Sequence, residues 1–136
     1  MSARTKARKR ALDVLYAADV RHRPLAEALA EADGRAASEP DRRTSWAYAA
    51  QIVQGVIDHG DEIDEQLRTY ARDWPLERMP VVDRALLRLG AWEILFNPEV
   101  PDAVAVAEAV ELAGELSTED SARFVNGVLG RIVATH

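Results

Sequence analysis

The first ten residues, MSARTKARKR, set Arg4, Lys6, Arg8, Lys9 and Arg10 on one short stretch with no acid among them. Cations in that pattern make and break no covalent bonds. They contact phosphates, displace counterions and give an affinity that falls steeply with salt. Phosphate contacts alone carry no sequence selectivity. Selectivity for a single strand comes from aromatic stacking and from hydrogen bonds to splayed base edges, and Asp120, Arg123 and Phe124 supply groups of those kinds near the other end of the chain. A helix starting there can also hold a phosphate at its N-terminus.

The patterns that would support catalysis are missing. His22, His59 and His136 have no metal-ligand spacing, and cysteine is absent, which removes thiolate zinc sites, thiol nucleophiles and disulfides. There is no phosphate-loop pattern and no nucleophile elbow. Carboxylate pairs such as Glu108 and Glu111 fall in an acid-rich helix, where a solvated face is the better reading. The expectation is a binding protein with no catalytic residue, no metal and no cofactor.

The candidate groups also have plainer structural readings. Phe124 lies on an apolar stripe and suits a core as well as it suits a base. Asp120 can simply favour a helix N-terminus, and the basic arm can be a solvated end. Arg84 and Arg88, one turn apart, can pair with nearby acids. Tyr16 and Trp92 fit packing roles, and Glu93 is placed to be partly buried and paired.

The elements that must position these groups are helical almost throughout. With 136 residues and 48 % hydrophobic composition, the chain can bury one core. Its net charge of −6 conceals an asymmetry, because the arm is wholly basic and the remainder correspondingly acidic. No apolar run reaches the length of a membrane span, and no signal-type stretch follows the arm, so a soluble cytoplasmic protein is expected. Apolar spacing predicts helices over about 4–20, 25–33 (ended by Gly34) and from Thr44 or Ser45 to His59-Gly60. Further helices are expected over 61–72, 81–96, from about Val104, and from Ser117 or Thr118 to about Val133. Basic residues at a helix start oppose its dipole, which predicts a frayed first turn. Residues 81–96, VVDRALLRLGAWEILF, are apolar nearly all round and read as a central, enclosed helix. The break at Trp74-Pro75 divides the chain into sub-bundles of about 1–75 and 76–136 within one compact all-α domain of about seven helices.

The last helix contains a tension. Phe124, Val125, Val128, Leu129 and Ile132 mark a helical face, yet Asn126-Gly127 is a typical turn dipeptide. Gly127 and Gly130 each cost a helix about 1 kcal/mol relative to alanine. Close approach of a neighbouring backbone, with Asn126 bonded to a neighbouring polar group, would offset that cost.

The stretch VDRALLRLGAWEILFNPEVPDAVAVAEAVELAGELSTEDSARFVNGVLGRI, ending in Phe-Val-Asn-Gly-Val-Leu, resembles the second half of the NusB family of bacterial antitermination factors. The arginine-rich start followed by Ala-Leu-Asp-Val-Leu-Tyr is similar to that family's first helix. This resemblance implies an all-helical fold without enzymatic activity, and a transcription antitermination factor that binds boxA-type RNA of ribosomal RNA leaders. The implied partners are single-stranded boxA-type RNA, the ribosomal small-subunit protein NusE and the wider antitermination complex with RNA polymerase; a homodimer is a further possible partner that the apolar pattern does not decide. Residue by residue, it implies RNA contact by Arg4, Lys6, Arg8, Lys9, Arg10, Arg88, Asp120 and Phe124, and contact with NusE by Tyr16 and Asp83. Two other readings remain open: an N-terminal domain cut from a ribosomal RNA cytosine methyltransferase, and a homodimeric protein-interaction module that binds no RNA.

Overall fold

A computed structural model describes residues 2–39 and 43–136. Helix α1 spans Ala3–Val20, α2 Leu25–Ala37, α3 Arg43–Asp58 and α4 Gly60–Tyr70. A 3-10 turn, Leu76–Arg78, leads into α5, Val81–Phe96; α6 is Asp102–Leu116 and α7 is Glu119–Thr135. No strand occurs among the described residues.

The basic first turn is folded rather than frayed. Ser2 is its N-cap, accepting the Thr5 amide on its side-chain oxygen at 3.0 Å, which satisfies a donor the helix itself cannot. Helix α2 runs through Gly34 to Ala37, past the expected end. Ala28, Leu29, Ala32 and Ala36 form one buried stripe, and that burial outweighs the cost of one exposed glycine. Between α1 and α2 the chain reverses at His22, whose φ of 54° is the left-handed conformation that stops a helix. The polar composition of residues 35–43 predicts a loop there; residues 35–37 instead belong to α2 and Arg43 opens α3, while 40–42 lie outside the described residues.

Helix α5 is the centre of the molecule, as its all-round apolarity predicts. Ten of its residues are buried, and it packs against α1, α3, α4, α6 and α7. On one side α1, α2 and α3 pack on one another, and on the other α6 packs on α7. A continuous buried cluster, including Ile52, Leu67, Leu86, Leu89, Leu112 and Leu129, runs through both groups.

Close approach does govern the packing, but not at the glycines of α7. A Cβ on Gly55 would overlap the Trp92 indole, and one on Gly90 would fall 2.6 Å from Leu129 Cδ1. These are the positions where α3 and α7 press onto α5. Around Gly130 there is open space, and near Gly127 only the Arg131 guanidinium comes within 4 Å. Asn126 is exposed at the edge of a shallow hollow between α6 and α7. Helix α7 holds its shape because Val125, Val128, Leu129 and Ile132 are fully buried, at roughly 1.5–3 kcal/mol per side chain.

Candidate nucleic-acid interface

Helix α1 turns its cations in three directions. Arg4 faces the α5–α6 connection, with Nη2 3.1 Å from Glu99, while its guanidinium carbon lies 4.3 Å from the centre of the Tyr48 ring. Lys9 pairs with Glu115 at 2.7 Å, near the end of α6. Lys6 is exposed. Arg10 points to the opposite side, beside Trp46 and α2.

Arg8 is different, and the expectation that it contacts RNA is corrected here. It is 2 % exposed, and its Nε and Nη2 donate to the fully buried Glu93 at 3.0–3.1 Å. Tyr48 donates its hydroxyl to the same carboxylate and accepts from Asn97 Nδ2 at 3.1 Å. Burial, then the hydrogen bond to Glu93, holds the Tyr48 phenol well above its ordinary range. With its donors engaged inside the protein, Arg8 anchors the arm to α5. Thr5 adds a second tie, donating to Glu108 at 3.1 Å.

The other RNA candidates lie at the start of α7. Thr118 is the N-cap, accepting the Ser121 amide at 3.0 Å. Asp120 is exposed and ion-paired with Arg123, one turn on. Phe124 is half-buried and meets Trp74 edge to face, with ring centres 5.2 Å apart. Lys9 links the two groups, because its partner Glu115 stands three residues before the Thr118 cap. Arg88 is not part of this face. Its guanidinium is bidentate to Asp64 at 2.9 and 3.0 Å and also reaches Asp19, which Arg84 holds at 2.7 Å.

The two candidate partner contacts divide sharply. Tyr16 is 45 % exposed and lines a hollow of about 400 Å³ with Leu12, Pro80, Val81, Val82 and the exposed Leu116. Asp83 is 0 % exposed and accepts from the Ser121 hydroxyl at 2.8 Å, joining the first turns of α5 and α7. The expectation that Asp83 touches a partner is therefore corrected. Its place one residue after Val82 turns its carboxylate inward while Val81 and Val82 reach the hollow.

A sequence model of the NusB family matches residues 5–134, nearly the whole chain. The chain belongs to the NusB family. Transcription antitermination protein NusB of Clavibacter sepedonicus is 62 % identical over 134 residues, covering 98 % of each chain. The NusB of Leifsonia xyli is 65 % identical over 132 residues, covering 97 % of this chain and 92 % of that protein. Among solved structures, T. maritima NusB superposes with a TM-score of 0.85 at 30 % identity, covering 100 % of this chain and 94 % of that one. NusB in a crystal of the antitermination factors NusB and NusE with dsRNA gives a TM-score of 0.84 at 28 % identity, covering 100 % and 99 %.

Within this NusB-family chain, the sequence reading placed Glu93 as partly buried and paired but missed its partners Arg8 and Tyr48, which are 85 and 45 residues away and carry no spacing signal. It also missed the apolar rim of Tyr16. Among the described residues no group of three or more His, Cys, Asp or Glu is arranged to hold a metal, and no helix is long and apolar enough to cross a membrane.

Proposed function

We propose that this protein is an RNA-binding transcription antitermination factor that acts by assembly, holding boxA-type RNA of ribosomal RNA leaders together with NusE. The observation that carries this reading is the full-length similarity to the NusB seen with NusE and dsRNA. The local chemistry fits. Arg4, Lys6, Lys9 and Arg10 supply phosphate contacts along α1, and Asp120 and Phe124 supply an acceptor and a ring for base edges. Tyr16, Leu116, Val81 and Val82 offer the apolar surface for the protein partner. A cytoplasmic site of action follows from transcription as the process served.

The test is a titration with a boxA-type RNA and a scrambled RNA of equal length, single-stranded and duplex, at two salt concentrations, with and without NusE. Preference for boxA that NusE strengthens is the expected result. Equal, weak and salt-sensitive binding to every RNA would overturn this reading.

A further inference from the structure

Helix α1 carries a second line of charge, which shares only Arg10 with the arm. Arg10, Asp13, Val14, Ala17 and Arg21 share one face, and that face lines a groove against α2. The groove consists of two hollows of about 330 and 170 Å³ that share Asp13, Val14 and Arg35. Alanines 17, 28 and 32 leave it room, and Arg23 and Arg35 stand on its α2 side.

The charges are unbalanced toward the positive. Glu31 is the one acid on the α2 side of this lining, and it is shared by Arg23 at 2.8 Å and Arg35 at 3.1 Å. Arg10 and Arg21 have no ion pair among the described residues, and Arg10 Nε is buried without an acceptor. This concentration of guanidinium groups occurs in a chain whose net charge is −6. Arg10 and Arg21 are eleven residues apart, about 16 Å along the helix. That length accommodates several phosphates at the ~3.4 Å axial spacing of a stacked strand. Guanidinium forks match phosphate oxygens two at a time, which an ammonium does not.

We propose that the groove between α1 and α2, with Arg10, Arg21, Arg23 and Arg35, is a second RNA track that takes the sugar-phosphate backbone flanking the segment held by the arm. RNA is favoured over an acidic protein because Arg10, one of the arm's cations, points to the far side of α1 and opens the groove there, so a strand that crosses α1 from Lys9 meets Arg10 next. The inference rests on the reading of the arm as the primary RNA contact. Glu31 and Asp13 keep the groove from gathering polyanions indiscriminately, so the track adds affinity only to an RNA already delivered by the arm.

The experiment compares a boxA-length RNA with the same RNA extended by about eight nucleotides on each side, using fluorescence anisotropy. Wild type should bind the extended RNA more tightly. The Arg21→Ala/Arg35→Ala variant should bind the short RNA as wild type does and lose about five- to tenfold on the extended one, with a salt slope shallower by about one. The Arg21→Lys/Arg35→Lys variant should recover part of the loss, and far-UV melting should show both variants folded. A wild type indifferent to the extension, or a variant that weakens both RNAs equally or neither, overturns the track. Loss of only an acidic protein's binding would reassign the groove to that partner class and likewise overturn it. Lys6→Ala separates the two readings: if it leaves short-RNA binding unchanged, the arm assignment fails as well.

Discussion

At the scale of single residues, the arm's charge is already partly answered from within. Glu99 meets Arg4 and Glu115 meets Lys9 in exposed pairs, and such pairs contribute little stability. If the arm takes RNA as proposed, an arriving phosphate must displace these carboxylates. Glu99→Gln combined with Glu115→Gln should therefore raise RNA affinity a few-fold at low salt while the melting temperature stays nearly unchanged; weaker binding would show that the carboxylates orient the arm instead of competing for it. Buried pairs behave differently. The Tyr48 phenol is raised from its usual 10.0 because burial and Glu93 disfavour the phenolate. In the unfolded chain it ionises near 10, so its contribution is complete below that pH and is lost as pH rises above it. Unfolding by urea at a series of alkaline pH values should show stability falling from about pH 10 upward, and more shallowly in Tyr48→Phe. Asp83 belongs to the same class. Asp83→Lys places an unpaired cation among buried groups and should cost about 3–5 kcal/mol, so a melting temperature like that of wild type would return Asp83 to the partner surface. None of this could be read from spacing, because Arg8 and Glu93 are 85 residues apart and Asp83 and Ser121 are 38 apart.

At the scale of elements, the sequence was most legible where periodicity is strong and least legible where a helix end depends on a cap or a fold-back. Helix α5 has the predicted bounds, since an enclosed helix must be apolar all round and two prolines, Pro80 and Pro98, bracket it. Helix α2 overran Gly34 because tertiary burial of Ala36 decides more than the local preference of one glycine. The Ser2 cap went unread, because the sequence reading weighed only the repulsion expected from the basic turn. Glycine was the most misleading signal. Gly127 and Gly130 stand out in sequence yet meet no backbone, whereas Gly55 and Gly90 sit unremarked inside apolar runs and make the helix contacts. Substituting Gly130→Ala should stabilise the protein by up to about 1 kcal/mol through helix propensity alone. Thermal denaturation of Gly130→Ala beside Gly55→Ala checks this, with opposite signs expected because the latter drives a methyl group into Trp92. A loss at Gly130 would mean that the open face of α7 is covered in the folded state.

At the scale of the whole molecule, the two proposed ligand surfaces share α1 but sit on different stretches of it. The cations of the arm occupy its first half, and Tyr16 stands near its end beside the start of α5 and the end of α6. Because α1 is one continuous helix locked to α5 through Arg8 and Glu93, the proposed RNA and partner surfaces stand at a fixed separation on a rigid element. Substitutions on the two surfaces should therefore act independently in binary mixtures. Tyr16→Asp places a charge on an exposed apolar rim, so it should weaken NusE binding at least tenfold, about 1.4 kcal/mol, and leave RNA binding by the isolated protein unchanged. Lys6→Ala should do the reverse. In the ternary mixture each substitution should lower boxA occupancy, because RNA and NusE are then linked through the protein that holds both, and linkage is reciprocal for binding free energies. Titrating NusE against each variant, with and without RNA, measures that coupling directly. If Tyr16→Asp weakened RNA binding when NusE was absent, the surfaces would not be separate, and the tyrosine would have to be counted among the groups that face the nucleic acid.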